Sequence, residues 1–136
     1  MVRASGSRFW DSEGREYLDF ASQLVATNLG HGNEAIVRAI VDQARKLPYA
    51  APGFATEVRA RASEALGRVL PDGLDRYFFS TSGTEANEAA LRIARVLTGR
   101  PKVLANSISY HGATSGALSV SGDLRRRAAG PSPSAS

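Results

Sequence analysis

The sequence predicts an α/β fold in which helices alternate with short apolar strands. Three segments carry apolar residues at helical spacing, and two short, nearly unbroken apolar segments, DRYFFST (75–81) and PKVLANS (101–107), lie before and after the last of them. Continuous apolar strands of this kind are typical of parallel sheets covered by helices. Because two or three strands make a poor sheet, we expect the mostly parallel sheet with its flanking helices to be incomplete.

The first element is expected to be a β-hairpin that precedes this sheet. Phe9 and Trp10 come before a turn at residues 11–14 that ends in glycine, and an alternating apolar pattern follows at residues 17–20.

Three helices follow, each with a start or stop signal in the sequence. The signals are Asn33 and Pro48 for the first helix, Thr56 and Pro71 for the second, and Gly99 at the end of the third. A further short strand is expected at GALSVSG, residues 116–122. The last residues, GPSPSAS, are rich in proline and serine, so we expect 124–136 to be a disordered tail.

Composition excludes several classes of function. The chain has no cysteine and only two histidines, so no metal site is expected. No apolar run approaches the length that spans a bilayer, and no signal peptide is visible, so we expect a cytoplasmic protein without a membrane partner. The net charge of +4 comes from scattered arginines, and only the RRR at 125–127 is clustered, so nucleic acid is not an expected partner.

The segment STSGT, residues 80–84, leads into the third helix, with Gly83 and Thr84 at the helix start. The first backbone N–H groups of a helix have no intrahelical partner, and they present partial positive charge. Gly83 lets an anion approach the backbone, and the hydroxyls of Ser82 and Thr84 can donate further hydrogen bonds. The loop lacks the lysine of a nucleotide-binding P-loop, so the expected ligand is the phosphate of a cofactor. An ordinary capped helix, with Glu85 and Glu88 favouring the dipole, explains this segment equally well.

A second polar loop, SYHGATSG (109–116), follows the second apolar strand. In a parallel sheet it would emerge at the same edge as the first loop, so the two loops can share one ligand. Tyr110 can stack on a planar ring, although an interface or core aromatic is the alternative. His111 alone is more often a hydrogen-bonded structural residue than a catalyst.

Taken together, these stretches resemble the class III (omega or ornithine type) pyridoxal-phosphate aminotransferases, whose fold is shared with aspartate aminotransferase. The resemblance rests on three blocks in the family's order and spacing: DSEGREYLDFASQLVATNLGHGNEAI (11–36), FFSTSGTEANEAALRIAR (78–95) and RPKVLANSISYHGATSGALSVSGD (100–123). Within the family, the sequence of these blocks most resembles the branch of the taurine:pyruvate aminotransferases and the loosely named "aspartate aminotransferase family" proteins. The resemblance implies an N-terminal fragment of that fold: 1–50 from the small domain and 51–123 from the start of the large cofactor-binding domain.

The resemblance also implies site residues. Pyridoxal 5'-phosphate (PLP) would be bound at its phosphate by the backbone amides of Gly83 and Thr84 and by a hydroxyl, with Ser82 beside them. Tyr110 matches the aromatic that stacks on the ring. The same turn contains His111, together with Gly112, whose small size lets the turn close.

Leu24 and Val25 match a segment that lines the substrate pocket in relatives. No catalytic residue is expected here, because the family's Schiff-base lysine and pyridine-nitrogen aspartate lie beyond this chain's end in relatives, and Lys46 and Lys102 match neither position.

By resemblance, the intact enzyme moves an amino group between an amino acid or amine and a keto acid, as a homodimer. Two alternatives remain open: an inactive truncated product or split-protein half, and, more remotely, a small phosphate-binding module.

Overall fold

The computed structural model describes residues 1–122 and Ala128, which fall into two units. The first unit is Met1–Leu70, and the second begins at Pro71. The tail expected at 124–136 lies outside the described residues, apart from Ala128. The domain boundary expected near residue 50 stays a prediction.

The first unit opens with a three-stranded antiparallel sheet, formed by β1 (Arg3–Ser5), β2 (Arg8–Trp10) and β3 (Glu16–Leu18) in that order. The predicted hairpin is confirmed as β2 and β3, with Phe9 opposite Tyr17 and their rings stacked at 5.2 Å between centroids. The strand β1 was not expected, because its polar sequence has no apolar alternation.

A single turn, α1 (Ser22–Val25), follows the sheet and has an unusual backbone. All four of its residues have φ between 46° and 65°, in the left-handed region that costs L-residues roughly 1–2 kcal/mol each. Asp19 supports the turn, because its carboxylate accepts hydrogen bonds from Gln23 and lies 2.7 Å from Nε2 of His31. The hydrogen bonds from Gln23 and then His31 lower the pKa of Asp19.

Two helices complete the first unit, α2 (Glu34–Lys46), which is amphipathic, and α3 (Glu57–Gly67). Asn33 is the N-cap of α2 as predicted, because its side-chain oxygen accepts from the second and third amides of the helix, at 3.1 and 3.4 Å. Thr56 precedes α3, but its hydroxyl accepts a hydrogen bond from Arg59 and does not cap the backbone.

The second unit contains α4 (Gly83–Thr98) and α5 (Ser115–Ser119). The predicted limits of α4 are confirmed: Ser82 is the N-cap, and Gly99 ends the helix with φ 66°. The strand expected at 116–122 is wrong, because residues 115–119 form α5. The amides of Gly116 and Ala117 bond to the carboxylate of Glu88, and this tertiary contact overrides the local strand pattern.

The chain is a mixed α/β structure, as predicted, but the described residues form only the antiparallel sheet. Segments 75–81 and 101–107 were expected to be parallel strands, and no strand is assigned to either of them. The strand expectation for these two segments is therefore wrong for the described chain. Two segments of this length would share few ladder hydrogen bonds, and isolated pairs of strands are marginal in water.

Many apolar side chains of the described segments are exposed. Ala117 and Ser121 are the side chains that the described chain buries fully, whereas Leu104 is 100% exposed and Ile40 on α2 is 63% exposed. Within the same residues, no helix is long and apolar enough to cross a bilayer. The apolar surface of both units is thus available to an apolar probe or to another polypeptide.

We expect the purified chain to bind the dye 8-anilinonaphthalene-1-sulfonate, because such exposed apolar surface is where the dye binds. Fluorescence enhancement should fall in the double variant Ile40→Gln/Leu104→Gln, which removes one exposed apolar group from each unit. Glu64→Gln on the exposed face of α3 is the matched control. A chain that gives no enhancement would contradict the expectation.

Candidate functional site

The loop before α4 is held by a glutamate of the helix itself. The Oε2 atom of Glu85 accepts hydrogen bonds from the backbone N–H and the hydroxyl of Thr81, both at 2.7 Å. In return, the Glu85 amide donates to Oγ of Ser82 at 3.3 Å, and the Ser80 hydroxyl donates to the Ser82 carbonyl. The bonds from Thr81 lower the pKa of Glu85. This arrangement is a capping box that reaches one residue further back than usual.

The first two amides of α4, those of Gly83 and Thr84, bond to no acceptor within the part of the chain that the structure describes. They lie at the positive end of a 16-residue helix, where an anion is favoured. A Cβ added at Gly83 would meet nothing within 4 Å. The start of α4 therefore has two amides without an acceptor among the described residues and free space at Gly83.

The loop that contains Tyr110 packs against the first turn of α4 through Gly112. A Cβ at this position would lie 2.5 Å from Cβ and 2.9 Å from Cα of Thr84, and Gly112 has φ 133°. The Thr84 hydroxyl also lies 2.7 Å from the hydroxyl of Thr114. Only glycine fits this close approach, so the expectation that Gly112 lets the turn close has a direct physical basis.

The carboxylate of Glu88 ties the same loop to α4. Its Oε1 atom accepts from the Thr114 hydroxyl at 2.6 Å and from the amides of Gly116 at 2.8 Å and Ala117 at 3.0 Å. These are the amides near the start of α5, so Glu88 caps a helix other than its own. The pKa of Glu88 is lowered below its usual value of 4.5, first by Thr114, then by the α5 amides and, more weakly, by Arg92. Glu88 is therefore ionised at neutral pH.

A second set of hydrogen bonds fixes the backbone of His111. The Asn87 amide donates to the His111 carbonyl at 2.6 Å, and the His111 N–H donates to the buried hydroxyl of Ser121 at 3.0 Å. Ser121 in turn donates to the carbonyl of Ala117. Oriented hydrogen bonds thus hold the loop from two sides.

The structure brings most of the expected binding residues together. Ser82, Gly83 and Thr84 form the first turn of α4 and its cap, and Gly112 contacts Thr84 directly. Tyr110 is 55% exposed, two residues before that contact.

The expected substrate-pocket residues lie apart in sequence and belong to the first unit. Leu24 and Val25 are 93% and 73% exposed on the left-handed turn α1. No three His, Asp or Glu side chains cluster as metal ligands anywhere in residues 1–122 or at Ala128.

Sequence reasoning missed the residues that hold the two loops together. Asn87 and Glu88 follow Thr84 at three and four positions, so all three share one face of α4. That spacing is visible in the sequence, but it shows only that the three residues share a face and does not indicate which residues contact that face. Their partners, the His111 carbonyl for Asn87 and Thr114 for Glu88, are more than 20 residues further along the chain, and nothing in the sequence marks these pairings.

Comparison with known proteins gives one consistent result. The family model for class III aminotransferases matches residues 1–135. A [LysW]-aminoadipate semialdehyde/glutamate semialdehyde transaminase of Sulfolobus acidocaldarius is 38% identical over 93% of this chain and 33% of its own length. A taurine–pyruvate aminotransferase of Rhodobacter capsulatus is 41% identical over 93% and 29%, respectively.

Solved structures agree with the sequence matches. The taurine:2-oxoglutarate aminotransferase of Bifidobacterium kashiwanohense, solved with PLP and glutamate, is 44% identical and aligns with a TM-score of 0.90 over 96% of this chain and 30% of its own. The pyridoxamine-phosphate-bound aminotransferase of Vibrio fluvialis is 28% identical, with a TM-score of 0.86 over 98% and 32%. The chain therefore spans about a third of the length of the curated relatives it matches.

Proposed function

The chain belongs to the class III aminotransferase family, and from that premise we propose that it supplies the phosphate and ring contacts of a PLP site. The observation that carries the proposal is the open first turn of α4, where the amides of Gly83 and Thr84 have no acceptor among the described residues. Ser82 adds a hydroxyl beside them. These are the donors that a phosphate dianion needs at a helix start.

Tyr110 and the turn through His111 and Gly112 are proposed to flank the cofactor ring. The close packing of Gly112 on Thr84 supports this, because it joins the aromatic's loop to the turn that would bind the phosphate. PLP supplies the electron-accepting ring that amino-group transfer requires. This chain's own part is to bind and orient that group. Leu24 and Val25 are proposed to line the substrate pocket.

The proposed activity of the complete enzyme is transfer of an amino group between an amino acid or amine and a keto acid. The matches to a taurine–pyruvate and a taurine:2-oxoglutarate aminotransferase support an amine or amino acid similar to taurine as the amino donor. A homodimer in the cytoplasm is proposed for the whole protein, and the domain division near residue 50 is retained as part of the proposal.

We propose that this chain alone binds the cofactor without catalysing transfer. The chain has two lysines; Lys46 pairs with Glu57 at 2.6 Å on the exposed faces of α2 and α3, and Lys102 lies at the start of the second apolar segment. Neither stands where the family's Schiff-base lysine is expected. The lysine would come from further polypeptide, either as part of the same enzyme or as the other half of a split protein.

The test is titration of the 136-residue chain with pyridoxamine 5'-phosphate, which needs no Schiff base, and with pyridoxamine, which lacks the phosphate. We expect the phosphorylated ligand to bind about 10- to 100-fold more tightly, the range that charged hydrogen bonds supply. Incubation with PLP and amine donors should yield no keto product. Equal binding of both ligands would overturn the phosphate assignment. Turnover that Lys46→Ala or Lys102→Ala abolishes would overturn the inactivity.

A further inference from the structure

We infer that Glu88 is a positioning residue of the cofactor site, because its carboxylate holds the loop at 110–117 against α4 and thereby sets where Tyr110 lies. The inference rests on the proposed function, since it takes the first turn of α4 as the phosphate site and Tyr110 as the ring contact. Glu88 itself would not touch the cofactor.

One face of α4 carries both the phosphate turn and the anchor. Thr84 and Glu88 are four residues apart, so they lie one above the other on the helix. Asn87, between them, bonds the carbonyl of His111. The helix therefore fixes the anchor points of the second loop relative to the amides of the first, and no flexible element intervenes.

The ionised carboxylate also sets the direction of two hydroxyl groups. A carboxylate only accepts hydrogen bonds, so the Thr114 hydroxyl must give its proton to Glu88. With that proton committed, the short contact between the hydroxyls of Thr84 and Thr114 must be donated by Thr84. The chain of donors runs from Thr84 through Thr114 to Glu88.

This direction changes which groups can bind the phosphate. The Thr84 hydroxyl donates its hydrogen bond to the Thr114 hydroxyl and accepts one from the Thr114 N–H at 3.4 Å. It therefore has no proton left to donate to an anion. The donors that face the anion are the amides of Gly83 and Thr84, with the hydroxyl of Ser82. The hydroxyl that contacts the phosphate is therefore that of Ser82, whereas the Thr84 side chain takes part in the hydrogen bonds that lead to Glu88.

Convergence on a single atom explains why an acid occupies position 88. Three donors meet at Oε1 of Glu88, and a charged acceptor binds them roughly twice as strongly as a neutral one. The lowered pKa of Glu88 agrees with this geometry. Glutamine keeps the shape and one oxygen but loses the charge, whereas alanine removes the acceptor entirely.

The experiment compares the wild-type chain with Glu88→Gln, Glu88→Ala and the control Glu64→Ala, an exposed glutamate on α3. Each chain is titrated with inorganic phosphate and with pyridoxamine 5'-phosphate, and binding is followed by nuclear magnetic resonance at the Gly83 amide and the Tyr110 ring. Inorganic phosphate reports on the first turn of α4 alone. The phosphorylated vitamer reports on the turn and the ring contact together.

We expect phosphate affinity to stay within about twofold in all four chains. Affinity for pyridoxamine 5'-phosphate should fall about 3- to 10-fold in Glu88→Ala, the range of a lost stacking contact, with Glu88→Gln between that variant and wild type. Glu64→Ala should match wild type. Far-UV circular dichroism checks that α4 remains helical in each variant.

Two outcomes overturn the inference while the proposed function stands. Either affinity for the phosphorylated vitamer is unchanged in Glu88→Ala, or both ligands weaken in parallel, which would mean that Glu88 only stabilises the fold. A wild-type chain that binds neither ligand overturns the proposed function, and the positioning role falls with it.

Discussion

Replacing Gly112 with alanine should detach the Tyr110 loop from α4. The added Cβ would lie 2.5 Å from Cβ and 2.9 Å from Cα of Thr84, and no rotamer change of Thr84 moves those atoms away. The backbone φ of 133° is also one that residues other than glycine rarely adopt. Backbone strain and overpacking together should lower the free energy of local opening by about 2–5 kcal/mol. Amide hydrogen exchange at Gly116 and Ala117 measures this.

The matched control is Gly73→Ala in the same unit. Gly73 has φ 88°, but a Cβ there meets nothing within 4 Å, so this variant tests strain without overlap. We expect exchange at Gly116 and Ala117 to stay at the wild-type rate in the control. If Gly112→Ala leaves those amides as protected as in wild type, the close contact with Thr84 does not determine the loop's position.

Replacing Gly83 with valine should abolish phosphate binding while leaving α4 intact. Gly83 has no positive φ, and a Cβ added there would meet no other atom within 4 Å, so the protein itself tolerates a larger residue. A branched side chain at the first helical position would instead stand where an anion approaches the amides. We expect a loss of about 10- to 100-fold in affinity for pyridoxamine 5'-phosphate, measured by titration.

Gly53→Val provides the comparison for this variant. Gly53 is equally open and lies in the first unit, so the variant should bind the ligand as wild type does. Circular dichroism should show the same helix content in both variants. Wild-type affinity in Gly83→Val would return the loop to the simpler interpretation, a helix cap with no ligand.

The sequence predicted the elements whose signals are local. Asn33 accepts hydrogen bonds from the two amides that follow it, Ser82 and Gly83 begin α4, and Gly99 ends that helix in the left-handed conformation. Each of these interactions involves residues within a few positions of one another. Residue type and spacing are therefore enough to predict them.

The features that sequence reasoning missed depend on distant partners. Residues 115–119 became a helix because Glu88, nearly 30 positions earlier, accepts the amides of Gly116 and Ala117. The left-handed turn α1 is held by Asp19, and the turn contains no glycine that would signal a left-handed backbone in the sequence. The segment at 101–107 is apolar, but apolar sequence alone cannot supply the neighbouring strand that a parallel sheet requires.

The contacts between α4 and the Tyr110 loop have a consequence for the order of folding events. They close a stretch of 24 to 30 residues, and the length-dependent entropy of closing a loop of that size is roughly 3 kcal/mol. A neutral hydrogen bond contributes only about 0.5–1.5 kcal/mol, and a bond to a charged group such as Glu88 about 1.5–3 kcal/mol, so no single bond clearly outweighs this entropy. The bonds to Asn87 and Glu88 must therefore form nearly together, and the transition state for closure should already contain the carboxylate contact. Substitutions at Glu88 should then slow closure more than they speed opening.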